Sequence, residues 1–311
     1  MVYSSMLCES KGLFALIKKP LQGANLPVTI RQLEEDDLDF AFEMTTTEQW
    51  NERREDIKRV FGYEPEGCFI AELNDHKIGH VFALSYGKLG WIGLLIIKAE
   101  YRRMGIGRLL TAKAKEYLLN RGVETAKLEA VPEISDLYRK LGFVDEYDSL
   151  RYVGTVGRAR LSKNSSIVSI EEPDIVALAD FDARFFGAPR TRVIAKLHQE
   201  YPQFCFMSRS SSKINGYIMC RESLSGYKLG PWICDADKPE IAEQLLVQCV
   251  ARLEPNSQVY IGVPAVNHAA TEILRRHGYS KYSHSIRMRF GKELENECIE
   301  GAFAIGGPMK G

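Results

Sequence analysis

The pattern of apolar and polar positions along this chain becomes regular from Val28 onward. Residues 28–33 alternate between apolar and polar side chains, which predicts a strand. Four acidic residues then precede apolar positions at helical spacing, as in the first turn of a helix, and a second short helix is predicted around residues 50–61. Residues 1–26 show no clear period, so we interpret them as an N-terminal extension.

Three apolar segments come next, at residues 68–73, 78–85 and 91–97, and short polar turns separate them. This arrangement predicts strands that are connected by hairpins and are therefore antiparallel. The third segment is apolar on both faces, so it should lie near the centre of a sheet.

A basic loop with two glycines follows the third segment, and an amphipathic helix begins directly after it. The helix carries apolar residues at i, i+3 and i+4 spacing, and Gly122 ends the pattern. A strand is predicted at residues 127–131, a helix opened by Pro132 comes next, and Phe143 begins a last strand. The apolar face of the helix that Pro132 opens consists of Ile134, Leu137, Tyr138 and Leu141.

Parts of this pattern recur about 136 residues later in the chain. The matching pairs are residues 77–79 with 213–216, 88–92 with 228–233, and 141–143 with 277–279. Each match is weak, but their order and common spacing predict two copies of one fold. Residues 157–166, which are rich in Ser, Arg and Gly, form the predicted linker.

Composition excludes several classes of protein. The 311 residues are 45% hydrophobic and 26% charged, with 41 basic and 41 acidic side chains, so no net charge attracts the chain to nucleic acid or to a membrane surface. Seven scattered cysteines without a CxxC pair disfavour a disulfide framework or a metal site and favour a reducing, cytoplasmic location. No apolar stretch approaches the ~20 residues of a membrane span.

The strand–loop–helix order around residues 94–110 predicts an anion site. It directs several backbone N–H groups and a helix N-terminus at one point, which most often binds a phosphate. The simpler alternative is a tight turn with a solvated basic surface. A dinucleotide fingerprint is disfavoured because Leu110 replaces the third glycine, and a Walker A loop because no Lys-Ser/Thr follows Gly107.

Two motifs give the chain a resemblance to a known family. Arg102-x-x-Gly105-x-Gly107 after an apolar strand, with Leu137-Tyr138-x-x-Leu141-Gly142-Phe143 downstream, resembles the GNAT superfamily of N-acetyltransferases. The resemblance covers residues 28–153. It implies an α/β (α+β mixed sheet) fold, two tandem GNAT-like acyl-CoA N-acyltransferase domains, and acetyl-CoA as the cofactor.

The resemblance also implies which residues hold acetyl-CoA. The loop would cradle the diphosphate, and main-chain groups of Leu95 and Ile97 would pair with the pantetheine arm. The glycines let the backbone approach the phosphates closely, while three arginines add positive charge. The loop residues concerned are Arg102, Arg103, Met104, Gly105, Ile106, Gly107 and Arg108.

Candidate residues for catalysis and acceptor binding rest on weaker signals. Tyr138 matches the family tyrosine that protonates the departing thiolate, although it could instead be a packed aromatic residue. Glu129 on the preceding strand is a candidate general base, with a solvated glutamate as the alternative. Trp50 could line an acceptor pocket or pack in the core, and Arg190 could hold a substrate carboxylate or form a structural ion pair.

The second half resembles the degenerate GNAT domain that follows an active one in some tandem members. Its loop has no glycines and Leu274 replaces the tyrosine, so we expect it not to bind acetyl-CoA. Asn267 occupies a position where the first half has Val131. The predicted division is an extension (1–26), a catalytic domain (27–156), a linker (157–166), a degenerate domain (167–291) and a C-terminal tail (292–311).

These observations predict an acetyl-CoA-dependent N-acetyltransferase that acts on a primary amine of a small molecule, by direct attack in a ternary complex. A protein amine is the next option as acceptor. The alternative from another class is a non-catalytic acyl-CoA-binding or sensing protein, and in a third interpretation the second half is a protein-interaction module. The chain is expected to be a monomer or a homodimer, with no metal, nucleic acid or membrane partner.

Overall fold

A computed structural model of the chain describes residues 28–157, 166–210, 213–294 and 297–311. The predicted extension and most of the predicted linker lie outside these ranges. The described strands are β1 (Val28–Gln32), β2 (Cys68–Leu73), β3 (His76–Tyr86), β4 (Leu89–Ile97), β5 (Thr125–Ala130), β6 (Val144–Thr155), β7 (Ile167–Ser169), β8 (Cys205–Ser210), β9 (Lys213–Glu222), β10 (Tyr227–Cys234), β11 (Gln258–Pro264), β12 (Ser280–Gly291) and β13 (Ala302–Ala304). The described α-helices are α1 (Leu38–Thr47), α2 (Arg54–Tyr63), α3 (Ile106–Asn120), α4 (Ser135–Arg139), α5 (Ile175–Phe186), α6 (Thr191–Glu200), α7 (Pro239–Val250) and α8 (His268–Arg276).

The predicted strands and the repeat are confirmed. In each half, antiparallel strands precede a parallel pair that a helix connects: α3 connects β4 to β5, and α7 connects β10 to β11. A helix is the usual connection between parallel neighbours because the chain must cross back over the sheet. The second predicted helix begins only at Arg54, so Trp50 lies in a loop.

The two halves exchange their last strands. The order in the joined sheet is β1-β2-β3-β4-β5-β12-β6-β11-β10-β9-β8-β7. Thus β12 of the second half pairs with β5 of the first, and β6 of the first half pairs with β11 of the second. A hydrophobic cluster that includes residues of both halves, such as Trp91 and Phe185, extends across the junction. The predicted domain limits remain a prediction, and the pairing of β5 with β12 and of β6 with β11 joins the two predicted domains in one sheet.

Both parallel strand pairs separate after a few residues. Strands β4 and β5 pair from Leu89 to Ile92 only, and Leu94 just beyond has a positive φ of 51°. In the second half, β10 and β11 pair from Tyr227 to Leu229 only. Each half therefore has a wedge-shaped opening between its parallel strands, at corresponding places in the repeat.

Residues 302–311 fill the opening of the second half and then reach the first. Strand β13 pairs antiparallel with β10, and the Ile305 N–H donates to the Gly262 carbonyl of β11 (2.9 Å). Further along, Trp91 Nε1 donates to the Pro308 carbonyl (2.9 Å) and the Tyr86 hydroxyl donates to the Lys310 carbonyl (2.9 Å). We call residues 302–311 the tail segment.

The side chain of Asn267 anchors the tail segment. It donates to the carbonyls of Glu300 (2.7 Å) and Ala302 (3.1 Å) and accepts from the Ala270 N–H as the N-cap of α8. The asparagine at this position thus has a structural contact in the second half, while Val131 of the first half is exposed.

Candidate active site

The basic loop forms an exposed helix N-terminus, as the sequence predicts. Gly105 is the N-cap of α3 and has a φ of 86°, a conformation that glycine adopts without strain. A Cβ at Gly105 would meet nothing within 4 Å, and one at Gly107 would meet only the side chains of Leu137 and Ile97. The first backbone N–H groups of α3 have no partner within the helix, so they can bind an anion.

The loop arginines differ in their contacts. Arg102 donates from Nε to the Ile97 carbonyl (2.9 Å) and pairs with Glu48 at the end of α1. Arg103 and Arg108 are exposed, as is Met104 between them. The positive charge of the loop therefore faces solvent and is available to a ligand.

Strand β4 places the predicted pantetheine contacts at the open wedge of the first half. Leu95 and Ile97 are half-buried, and β4 pairs with β3 on its other edge through Ile96 and Ile97. Beyond Ile92 the edge that faces β5 has no ladder partner among the described residues. This edge can add an extended ligand in the manner of a further strand.

Tyr138 lies on α4 and is buried in the apolar cluster of the first half. Its ring packs edge-to-face against Phe143, with 6.0 Å between centroids. Burial raises the pKa of its hydroxyl, so the group stays protonated at neutral pH and is a weaker acid than an exposed tyrosine. No hydrogen bond joins this hydroxyl to another described residue.

A cavity of about 720 Å³ lies between the two halves. Its wall includes Trp50 and Glu129, which the sequence analysis selected, and the tail segment contributes residues 305–308. The second half adds Arg221, Lys228, Tyr260 and Tyr282, which the analysis of single motifs did not select. A cavity of this size is typical of small-molecule sites.

Glu129 is buried and has its carboxylate fully engaged. Its Oε1 accepts from Arg287 Nε (2.7 Å), and its Oε2 accepts from Arg151 Nη2 (3.2 Å) and from the Ser285 hydroxyl. Burial alone would raise the pKa of this carboxyl, but Arg287 and Arg151 outweigh it and hold the pKa below its ordinary value. This environment favours the ionised form and disfavours proton uptake, while the role as base stays a prediction.

A second buried ionic network lies beneath the cavity. Glu52 accepts from Arg221 Nη2 (3.1 Å) and from Lys228, and Arg221 Nε also donates to Asp56 (3.0 Å). Lys310 of the tail segment is fully buried nearby, and its Nζ has no hydrogen-bond partner among the described residues. Burial, together with Arg221 and Arg59, lowers the pKa of Lys310 well below its ordinary value.

Arg190 lies outside the lining of this cavity. Its guanidinium binds Asp182 in a bidentate pair (2.7 and 2.9 Å), and its Nη1 donates to the Gly311 carbonyl (2.7 Å). Both side chains of the pair are buried. The geometry favours the structural ion pair over the substrate-binding role that the sequence left open.

The repeated mixed sheet, its open wedge and the glycine loop at a helix N-terminus define a class of tandem acyltransferases. The chain belongs to the GNAT family: residues 29–143 match the model of the Acetyltransferase (GNAT) family, and residues 178–300 match that of an Acetyltransferase (GNAT) domain. It is therefore an acyltransferase enzyme with two GNAT domains, and proteins of this family use acyl-CoA donors in general.

Two named relatives match most of the chain. Holothin acyltransferase of Pseudoalteromonas sp. (strain SANK 73390) is 25% identical over 256 residues, which cover 82% of this chain and 85% of the relative. The uncharacterised N-acetyltransferase YitH of Bacillus subtilis (strain 168) is 24% identical over 225 residues, which cover 72% and 75%.

Solved structures share the whole architecture. A candidate acetyltransferase from Pyrococcus horikoshii has a TM-score of 0.77 and 26% identity, covering 91% of this chain and 96% of that protein. A tandem GNAT protein from the clavulanic acid biosynthesis pathway has a TM-score of 0.59 and 12% identity, covering 85% and 98%, and shows the fold alone.

The described ranges contain neither a candidate membrane span nor a candidate metal site. No described helix has the length and apolar character needed to cross a bilayer. Within the same ranges, no group of three or more His, Cys, Asp or Glu side chains could hold a metal ion.

Proposed function

We propose that this protein is an acetyl-CoA-dependent N-acetyltransferase that acetylates a primary amine of a small molecule by direct attack in a ternary complex. The observation that carries this proposal is the 720 Å³ cavity, whose wall includes the end of β5 beside the open wedge of the first half. A donor in the wedge and an acceptor in the cavity would meet at this strand end.

The residues present fit an acyl-CoA. The N-terminus of α3 with Gly105 and Gly107 would hold the diphosphate, and the free edge of β4 at Leu95 and Ile97 would hold the pantetheine arm. When bound, acetyl-CoA supplies a thioester carbonyl that is open to attack by an amine. A backbone N–H of the β4 edge would donate to the carbonyl oxygen, and such donors contribute roughly 2.7–4 kcal/mol in other acyl-transfer sites.

Direct transfer is supported by the position of the cysteines. No described cysteine lines the cavity, and five of the six described cysteines are buried, with Cys298 exposed. The described part of the chain thus offers no thiol nucleophile at the site for an acyl-enzyme. A cytoplasmic location accords with these free thiols.

Tyr138→Phe tests the proposed proton donor. Removing the hydroxyl should lower kcat for thiol release from acetyl-CoA by about 100-fold, since general acid catalysis contributes 10²–10⁴-fold, and should leave CoA affinity nearly unchanged. Steady-state kinetics with an amine panel and calorimetry with CoA measure the two quantities. Tyr279→Phe is the control, because Tyr279 is also a buried tyrosine but packs in the apolar cluster of the second half.

A Tyr138→Phe enzyme with unchanged kcat would remove Tyr138 from the mechanism. Tight CoA binding without acetylation of any amine, already in the unmodified protein, would instead favour the non-catalytic acyl-CoA-binding alternative. The carboxylate of Glu129, which is fully engaged, is the observation on which that alternative rests.

The chain is expected to bind one acetyl-CoA and not two. In the second half, β13 occupies the wedge between β10 and β11, and the N-terminus of α7 is preceded by Lys238 and has no glycine loop. Calorimetric titration with CoA should therefore give a stoichiometry near one per chain. Two sites of similar affinity would contradict this assignment of the second half.

A further inference from the structure

Arg151 on β6 enters the cavity with half of its guanidinium engaged. Its Nη2 donates to Ser285 (2.7 Å) and Glu129 (3.2 Å). Its Nε and Nη1 make no hydrogen bond to any other described residue, and 15% of the side chain stays exposed at the cavity wall. Nε and Nη1 lie on different edges of the guanidinium, so each can donate one charge-assisted hydrogen bond to an anionic ligand such as a carboxylate.

The sheet leaves room for this side chain. Arg151 pairs with Gly262 of β11, and a Cβ at Gly262 would collide with Arg151 Nη1. The glycine therefore allows the guanidinium to lie over the strand and reach the cavity. Substitution of Gly262 gives a way to displace Arg151 without removing its charge.

The buried acids of the cavity wall are already occupied by cations. Glu129 forms ion pairs with Arg151 and Arg287, and Glu52 forms ion pairs with Arg221 and Lys228. Four cations therefore share two carboxylates in these contacts. A second ammonium group of a substrate would find no free buried carboxylate there. A substrate anion would find Arg151 with unused N–H donors.

We propose that the acceptor amine carries an anionic group, in the first place a carboxylate, and that Arg151 binds this group. This inference rests on the proposed function, because it names the chemical class of the acceptor in the same cavity. It favours amino acids and related amino carboxylates over polyamines and over neutral amines. Arg151 determines specificity and takes no part in the transfer itself.

Matched acceptor pairs test the inference. Each pair consists of an amino carboxylate and the amine that lacks the carboxylate: phenylalanine with phenethylamine, and 6-aminohexanoate with pentylamine, with putrescine added as a diamine. Thiol release from acetyl-CoA should show a kcat/KM at least about tenfold higher for the carboxylate member of a pair, because a hydrogen bond to a charged group is stronger than one between neutral groups. Putrescine should be the poorest acceptor.

Arg151 variants separate specificity from stability. Arg151→Met should lower kcat/KM for the carboxylate acceptor about 10–100-fold, mainly through KM, and lower it by a clearly smaller factor for the neutral acceptor, because Arg151 also pairs with Glu129. Arg151→Lys should recover only part of the loss, because a flexible ammonium does not keep the fixed directions of the guanidinium donors. Gly262→Ala should act like a weaker form of Arg151→Met. Arg276→Met removes an exposed charge from helix α8, outside the cavity lining, and is the control.

The outcomes distinguish this inference from the proposed function. Equal kcat/KM within each pair, or an equal loss for both members in Arg151→Met, would overturn the role of Arg151 and leave the acetyltransferase intact. If no amine is acetylated, the inference about Arg151 is tested by binding alone. The affinities of N-acetyl-6-aminohexanoate and N-acetylpentylamine for the CoA-bound protein are then compared. Tighter binding of the carboxylate that Arg151→Met abolishes would support the inference, and equal binding of the two would overturn it.

Discussion

Replacing both Gly105 and Gly107 with valine is expected to lower the affinity for acetyl-CoA by on the order of 100-fold or more. The side chains would stand where the diphosphate must approach the first N–H groups of α3. Valine at Gly105 would also be forced into a positive φ, where β-branched residues are strained. Calorimetric titration with CoA measures the loss directly, without any need for the acceptor.

The opposite end of α3 provides a matched control. Gly122 has a φ of 79°, and a Cβ there would meet nothing within 4 Å, as at Gly105. Gly122→Val should therefore cost a similar roughly 1–2 kcal/mol of folding free energy while leaving CoA affinity unchanged. If the loop variant binds CoA as tightly as the Gly122→Val protein, the loop is not the cofactor site, and the enzyme mechanism proposed above would lose its basis.

A chain that ends at Gly301 is expected to lose both stability and turnover. It would lack the tail segment, whose Phe303, Ile305 and Met309 are buried. Burial of each large apolar side chain contributes about 1.5–3 kcal/mol to folding. Loss of these three side chains should therefore lower the free energy of unfolding by on the order of 5 kcal/mol. Thermal unfolding measures the stability, and thiol release measures the loss of the cavity wall at residues 305–308.

Two further measurements keep this second prediction testable if the shortened protein fails to fold. A synthetic peptide of residues 302–311, added during refolding, should restore activity. Asn267→Asp keeps the cap that accepts from Ala270 and loses the two hydrogen bonds to Glu300 and Ala302, so it should loosen the tail segment without removing it. A shortened chain with full stability and full turnover would show that the tail segment is dispensable.

The local parts of this fold are predictable from the sequence because their signals are local. Alternation and turn residues predict β2, β3 and β4, and the helix pattern after Gly105 predicts α3. Motifs at a constant spacing predict the second copy. In each case the information lies within a few residues of the element that it specifies.

The strand exchange is not visible in any local pattern. Whether β5 pairs with β6 or with β12 depends on cross-strand packing between residues that are more than 150 positions apart, such as Glu129 and Arg287. The filling of the wedge by β13 likewise depends on contacts between residues that are distant in sequence. Residues 302–304 read only as a short apolar stretch until the opening between β10 and β11 is known.

The site divides in the same way. The glycine loop is one continuous motif, so its residues could be named in advance, and Trp50 and Glu129 do reach the cavity wall. Arg151 and Arg221 could not be selected, because their roles arise from partners in the other half of the chain. Gly262 is the one related position that stands out, because its missing side chain makes room for Arg151. That reason becomes visible only when the pairing of β6 with β11 is known.

The exchanged strands also limit how far this protein can fold while it is being synthesised on the ribosome. Strand β5 receives its neighbour β12 only after residues 280–291 have been synthesised, so the first half emerges with one side of β5 uncovered. Such an edge is a place where a nascent chain can pair wrongly. The first half can therefore complete its native sheet only after β12 has been translated, and a fragment that ends before β12 leaves β5 without this neighbour.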